Sequence, residues 1–308
     1  MLIDPLSDVL TLLRPQSAIS IGIDLAGDWA FHFSGHESIK FNAVTRGLCW
    51  VNVAGGAWHR IEQNGCFLLT QGLPFTLASD PTVPPMDASA LYQDVTGPIA
   101  TWNEGGDMYL IGGCFIFAER DSAALLGALP PIIAVDARSP HASVLQWALA
   151  QLAVELDQHR PGGALMSDHL AHFMLVHILR LHLETADERH PSWLHALADR
   201  QISSALTAIH GDPARAWALA DLAAQAGMSR SVFAERFRAG VGLSAMDYLT
   251  RWRMLLARDR LRHTADSIAS IALSVGYQSE AAFSTAFKRA NHGSPRQFRR
   301  ETAQGRSI

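Results

Sequence analysis

The chain has 308 residues, 48 % apolar and 18 % charged, with a net charge of −4; such usage excludes disordered, collagen-like and coiled-coil fibrous proteins and admits two domains. No apolar run reaches the roughly 18 residues of a membrane helix, and the N-terminus lacks the basic flank and compact apolar block of a secretory signal. Three cysteines without a CxxC (Cys49, Cys66 and Cys114) fit a reducing cytoplasm.

Residues 19–117 read as short strands: 19–23, 30–33, 41–44, 48–53, 66–70, 75–78 and 108–117. Turn signals separate them at Gly27-Asp28, Gly35, Gly47, Gly55-Gly56, Asn64-Gly65 and Gly72. This spacing and punctuation predict an all-β barrel or sandwich over residues 1–140. The pattern changes after Pro140. Val144, Trp147, Ala148, Leu152 and Leu156 recur at helical spacing, and a second helical stretch runs from about Leu165 to Leu183. Pro161-Gly162-Gly163 separates the two, so residues 141–190 form a helical hairpin whose wide apolar faces need a partner: the barrel, each other or a second chain. His190-Pro191-Ser192 marks a boundary, and residues 191–308 read as helical throughout.

The charge divides at that boundary. Residues 1–192 carry 9 Lys and Arg against 20 Asp and Glu, a net of −11, whereas residues 193–308 carry 16 against 9, a net of +7. A basic module of this size calls for a polyanion, usually nucleic acid.

Within the basic part a segment repeats. Leu219 to Gly227 matches Ile268 to Gly276, 49 residues on, with Ala-x-x-x-Gly at Ala223/Gly227 and Ala272/Gly276. Each copy is followed by a short helix bearing Phe-x-x-x-Phe, Phe233/Phe237 and Phe283/Phe287. A small residue lets two helices cross closely, and glycine stops the first helix with a positive φ. Ser229 and Ser279 then cap the second helix, whose phenylalanines face inward. These are two helix-turn-helix units. The outward faces hold Arg230, Ser231, Glu235, Arg236 and Arg238 in the first unit, and Ser279, Glu280, Ser284, Thr285, Lys288 and Arg289 in the second. Recognition helices of this kind place polar side chains on base edges and basic ones on phosphates. Ser231, Glu235, Glu280, Ser284 and Thr285 are assigned to bases; the arginines of the two units and Arg253 of the connector, with Lys288, are assigned to DNA backbone, and Arg296 is assigned to DNA contact. A connecting helix over about Ser244 to His263 carries the stripe Leu249, Trp252, Leu256 and spans about 30 Å, close to one DNA turn of about 34 Å. Two successive major grooves of duplex DNA are therefore the expected target.

At these residues the chain resembles the AraC/XylS family of bacterial transcription regulators. The resemblance runs over 195–300 and is carried by Gly227 to Phe237, Tyr248-Leu249, Trp252-Arg253-Met254, Ile271-Ala272, Val275 to Phe283, Phe287-Lys288-Arg289 and Gly293 to Arg299. Residues 1–190 resemble, on fewer residues (Arg46 to Trp50, Leu129-Pro130-Pro131, Arg160-Pro161-Gly162, Trp193-Leu194), the cupin-type sensor domain of one subgroup. The resemblance implies a multidomain α+β protein. A cupin-like barrel would sense a small-molecule effector, and helices would often join two protomers into a homodimer. Asn42, Trp50, Phe75 and Trp102 are assigned to the effector, although the aromatic residues Trp50, Trp58, Trp102, Phe31, Phe41 and Phe75 could equally fill a barrel core. Three departures stand out. Ala218 occupies the position where the subgroup commonly has a capping Thr, and Thr285 the position where it often has Arg. Asn42 stands where a metal-binding cupin has His, and Pro74 to Leu77 offers no other. No metal, cofactor or enzymatic role is therefore expected. His32/His36 and His169/His172 lack a third ligand, and no nucleotide or hydrolase fingerprint occurs. A metal-dependent cupin enzyme carrying DNA-binding repeats, and a module using the repeats for protein contacts alone, are the rival readings.

Overall fold

The computed structural model describes residues 4–13, 15–19, 22–36, 38–93, 95, 97, 99–117, 129–139, 142–158, 160–185, 193–291 and 293–304. The chain forms two compact units, one of residues 13–190 and one joining residues 1–12 to 191–308. The boundary expected at His190 to Ser192 and the middle of the strand expected over 19–23 lie outside the described residues.

The unit of residues 13–190 is a β-sandwich with a helical hairpin. One sheet contains β1 (Gln16–Ile19), β2 (Gly22–Leu25), β4 (Ile39–Arg46), β7 (Cys66–Leu69), β10 (Ile99–Trp102), β11 (Met108–Ile116) and β12 (Ile132–Val135). Its order is β10-β2-β11-β4-β7-β12, with β1 also on β11. The other sheet contains β3 (Ala30–Phe33), β5 (Leu48–Val53), β6 (Trp58–Glu62), β8 (Phe75–Ala78) and β9 (Met86–Asp87), in the order β6-β5-β8-β3-β9. Among the described residues the strands form two sheets with a shared core; the expected barrel is not closed. Alternation decides which side chains enter that core. Cys49, Val51 and Val53 of β5 point into it, together with Ile23, Leu25, Phe31, Val44, Phe67, Phe75, Leu77 and Leu110. A four-residue helix, α2 (Ser89–Tyr92), contributes Leu91. Burial pushes the thiols of Cys49 and Cys66 up to about 12, so both behave as small apolar side chains.

The hairpin expected beyond residue 140 is α3 (Ala142–Gln158) and α4 (Gly163–Thr185). It packs on the outer face of the larger sheet. Phe41 meets Phe115 at 5.6 Å, and Phe115 meets His172 of α4 at 5.8 Å. His172 is a structural residue: its ring nitrogens lie 2.7 Å from the Asp168 carbonyl and 2.5 Å from the Pro15 carbonyl.

The other unit is helical: α5 (Trp193–Ala196), α6 (Arg200–Gly211), α7 (Leu219–Gln225), α8 (Arg230–Val241), α9 (Ala245–His263), α10 (Ile268–Ser274), α11 (Glu280–Asn291) and α12 (Pro295–Gln304). A further helix joins them, α1 (Pro5–Leu13), which the sequence reading assigned to the barrel. Asp4 caps α1 by accepting from the Leu6 N–H at 3.1 Å, and Pro5 occupies the first turn, where its missing N–H costs nothing. Leu6, Val9 and Leu13 are buried at helical spacing. Asp8 sits on this helix beside His210 of α6. The His210 Nδ1–H donates to Asp8 Oδ2 at 3.2 Å, Nε2 accepts the Tyr248 hydroxyl at 2.8 Å, and the ring stacks on Trp252 at 4.0 Å.

Burial pulls the His210 pKa down to about 3, with Asp4 opposing, and pushes Tyr248 up. A histidine lowered in the folded state stabilises fully above its unfolded pKa of about 6.5 and loses that contribution as pH falls. Asp8, raised by burial and by Asp4, acts with the opposite sign and reduces the net slope. The melting transition of the helical unit is expected to drop between pH 6.5 and pH 5, by up to about 2 kcal/mol from His210 alone. Scanning calorimetry of a His210→Gln chain should show a flatter dependence over that window; an unchanged slope would exclude His210 as its origin.

Candidate nucleic-acid interface

The two repeated segments fold alike. In α7 the Gly227 N–H donates to the Ala224 carbonyl at 3.0 Å and the Met228 N–H to the Ala223 carbonyl at 2.9 Å. After α10 the Gly276 N–H donates to Leu273 at 3.0 Å and the Tyr277 N–H to Ala272 at 2.9 Å. The glycines have φ of 63° and 85°. Both ends are Schellman turns, built from the same atoms 49 residues apart. Each recognition helix then begins under a serine: Ser229 Oγ accepts from Val232 at 3.5 Å, and Ser279 Oγ from Ala282 at 3.2 Å. Phe233 and Phe237 of α8, and Phe283 and Phe287 of α11, are fully buried.

The connector serves both units with one side each. Tyr248, Leu249 and Trp252 are buried near its start, while Met254, Ala257 and Leu261 pack with Ile271, Ala272, Phe283 and Phe287. Its 19 residues rise about 28 Å.

Burying the phenylalanines leaves the opposite faces in solvent. Arg230, Ser231, Glu235, Arg236 and Arg238 are exposed on α8; Thr285, Lys288 and Arg289 on α11, with Ser279 before it. Glu280 and Ser284 are half-buried. Several assigned side chains hold partners inside the protein. Arg236 donates to Asp199 Oδ2 at 2.6 Å and Gln201 Oε1 at 2.9 Å, tying α8 to the start of α6. Arg253 donates to the Pro213 and Arg215 carbonyls, both at 2.8 Å, and lies over the Tyr277 ring. Burial lowers its pKa. Arg296 pairs with Glu280 at 3.3 Å, and Thr285 donates its hydroxyl to the Ala281 carbonyl at 3.0 Å.

The sequence reading passed over the small exposed residues at the same helical positions. Val232 is 48 % exposed on the first turn of α8, and Ala281 and Ala282 are exposed on α11. Apolar groups there can meet thymine methyls, and alanines let a helix approach bases closely. The signal was available: Val232 and Ala282 share the repeat register with the phenylalanines that follow them.

The residues assigned to the effector separate. Asn42 is buried on the inner face of β4, Phe75 is in the sandwich core and Trp102 packs at its edge, 5.2 Å from Phe31. Trp50 alternates with Cys49 and Val51, so it stands on the outer face of β5, away from the other three. Among the described residues no group of three His, Cys, Asp or Glu side chains gathers as metal donors, and no helix is long and apolar enough to cross a membrane.

A cupin family model matches residues 4–184, and a helix-turn-helix domain model matches residues 222–301. A Streptomyces lividans protein described as an AraC-like transcription regulator is 46 % identical over 96 % of this chain and 98 % of its own length. The Acinetobacter baylyi HTH-type transcriptional regulator AlkR is 29 % identical over 97 % of this chain and 100 % of its length. Among solved structures, the DNA-binding domain of AdpA in complex with a target DNA covers 34 % of this chain and 95 % of its own, at 27 % identity and a TM-score of 0.33.

The two turns differ in tolerance. A Cβ on Gly227 meets nothing closer than 4.0 Å, whereas one on Gly276 falls 2.6 Å from the Ala214 carbonyl and 2.7 Å from the Arg253 guanidinium. Gly227→Ala is expected to cost about 1 kcal/mol from its positive φ alone, and Gly276→Ala at least twice that. Equal losses in urea unfolding would contradict the close approach. The Ala218 N–H already donates to Asp221 at 2.9 Å, but the start of α7 lacks a side-chain cap. Ala218→Thr should therefore add about 1 kcal/mol; no gain in melting temperature would show that this helix end is otherwise satisfied.

Proposed function

The chain belongs to the family of AraC-like transcription regulators, and from that premise we propose that it grips duplex DNA with α8 and α11 in successive major grooves while its sandwich responds to a small molecule. The observation that carries the reading is the pair of Schellman turns with the same hydrogen bonds, each followed by a serine-capped helix with a buried phenylalanine pair and a polar outer face. Such a duplication has no use in a plain helical core. In the part of the chain carrying +7 it suits a polyanion such as DNA.

The outward side chains of the two recognition helices supply the DNA contacts in this proposal. Arg230, Arg238, Lys288 and Arg289 neutralise phosphates. Ser231 and Val232 on α8, and Glu280, Ser284 and Thr285 on α11, lie nearer to base edges, with Glu235 beside them. Arg236, Arg253 and Arg296 act first through their protein partners, which fix the recognition helices and the loop at 213–215; any phosphate contact they make is secondary. The proposal places the protein in the cytoplasm, where the DNA is, and gives it no enzymatic step.

The hairpin is the proposed seam of a homodimer. Val144, Trp147 and Val154 of α3 and Leu165, Met166 and Phe173 of α4 are exposed, and Trp147 meets Phe173 at 6.5 Å. An apolar patch of this kind on a soluble domain marks a partner surface. Two protomers would present four helix-turn-helix units to the operator.

Fluorescence anisotropy on a labelled duplex tests the DNA reading. Affinity should fall about 10³-fold or more between 50 and 200 mM salt through counterion release. Lys288→Ala with Arg289→Ala should weaken all duplexes alike and flatten the salt slope, whereas Glu280→Ala should change sequence preference. Salt-independent binding, or none, would overturn the proposal. For the seam, Trp147→Glu with Phe173→Glu should convert a dimer to a folded monomer in sedimentation velocity; a wild-type monomer at micromolar concentration would remove the dimer.

A further inference from the structure

The inner face of β4 carries an imbalance of hydrogen-bonding groups. Lys40 and Asn42 stand on it two residues apart, on the side shared with the core residue Val44. Their neighbours across the sheet are Leu69 and Phe67 on β7; on β11, Gly112, without a side chain, stands opposite Asn42. The Lys40 ammonium reaches toward the other sheet and lies 5.3 Å from the Phe75 ring and 5.9 Å from the Phe33 ring. Those rings stack on each other at 4.6 Å. Among the described residues the ammonium meets no carboxylate. Burial pulls its pKa down, with the Cys114 thiol on the neighbouring strand opposing.

Asn42 is 7 % exposed, and its Nδ2 has no hydrogen-bond partner among the described residues. His36 meets Phe75 edge-on at 6.1 Å, and its buried ring has the Ser38 backbone as its polar neighbour. Burial and the Lys40 charge lower the His36 pKa, with the Ser38 backbone opposing. Native interiors rarely leave such groups unpaired. An ammonium and an amide N–H₂ side by side in apolar surroundings are a donor set without an acceptor, and a carboxylate supplies the strongest complement.

We propose that Lys40 and Asn42, with His36 beside them, form the head-group site for the effector, and that the effector is a small organic acid whose carboxylate sits on these donors while its apolar body lies along Phe33, Phe75 and Leu69. The proposal rests on the effector-sensing reading above and adds to it the chemical class of the ligand. It gives Asn42, at the position where a metal-binding cupin would carry a histidine, a direct role without metal. It also accounts for Lys40, one of only two lysines in the chain, the other being Lys288. A neutral side chain such as Met would fill the same space without the cost of a half-buried charge.

The test uses the full chain and matched pairs of probes: benzoate and benzamide, phenylacetate and phenylacetamide, hexanoate and hexanamide. Binding is read by thermal shift and titration calorimetry. At least one acid should raise the melting temperature by mass action while its amide does not. Lys40→Met should weaken that acid at least about tenfold, and Lys40→Arg should keep most of the affinity. Asn42→Asp places a carboxylate of the protein's own beside Lys40. It should raise the melting temperature of the free chain and abolish the response to acid, a result that a merely structural asparagine would not give. If acids and amides bind alike, or if acid binding survives both Lys40→Met and Asn42→Asp, the donors are served by water and the acid class is wrong, while effector sensing stands. If no member of any pair binds, the acid head-group site is likewise overturned, and sensing is then decided by a broader metabolite screen against the same chain.

Discussion

A left-handed glycine between two helices is the constraint on which the DNA-facing surface depends. At Gly227 and Gly276 the backbone takes a φ that an L side chain adopts only with strain. In that conformation two N–H groups turn back and satisfy carbonyls that the helix end would otherwise orphan. The chain leaves the first helix abruptly, and two or three residues later a serine oxygen accepts the first free N–H of the next helix. The angle between the helices is thereby constrained by local interactions. The buried phenylalanine pairs then decide the rotation of α8 and α11, and rotation decides which residues face solvent. Replace the turn by a continuous helix and Phe233 and Phe283 no longer reach the core from the same side as Leu222 and Ile271.

The basic charge of this unit divides into two kinds of work. Arg236 and Arg253 each reach oxygen acceptors on other elements, at distances between 2.6 and 2.9 Å. Arg258 and Arg262 lie over the Phe298 ring at 5.3 and 5.6 Å. Guanidinium suits this role because its planar fork serves several acceptors and stacks on rings. The arginines that staple the helices are thus not interchangeable with those left in solvent, although composition counts them alike. Net charge draws the polyanion, and the stapling subset keeps the recognition helices in place when it arrives.

Legibility followed the range of the interactions. The helix-turn-helix units could be read because everything that defines them is local: a glycine, a serine cap and apolar positions within a dozen residues. The hairpin was legible from periodicity, and its break came where Pro161-Gly162 stands. Trp50 misled because composition favours an aromatic residue for a cavity. Its face depends on the register of β5, where Cys49, Val51 and Val53 claim the inside. The partners of Arg253 could not be read, because the carbonyls it meets lie 40 and 38 residues away. Helix α1 went unread, although Asp4-Pro5 and the spacing of Leu6, Val9 and Leu13 carried its signal. Its place with the helical unit was not legible, since the Asp8 contact to His210 spans 202 residues.

The two helix-turn-helix units share a plan but not a degree of constraint. In the second unit Ser267 caps α10 by accepting from Ser270 at 3.0 Å, and Gly276 is held between the Ala214 carbonyl and Arg253. In the first, Ala218 caps nothing, and the space around Gly227 is open. The first unit is steadied instead by α6, through Gln201 to the Ala226 carbonyl at 3.0 Å, Ser204 to Gln225 at 2.9 Å and the Arg236 contacts. Its geometry therefore depends on a neighbouring helix, whereas that of the second unit is held by its own cap, the connector and the loop at 213–215. Local opening starts where fewest interactions must break together. That is the start of α7, so the first recognition helix is the one whose placement α6 can bias.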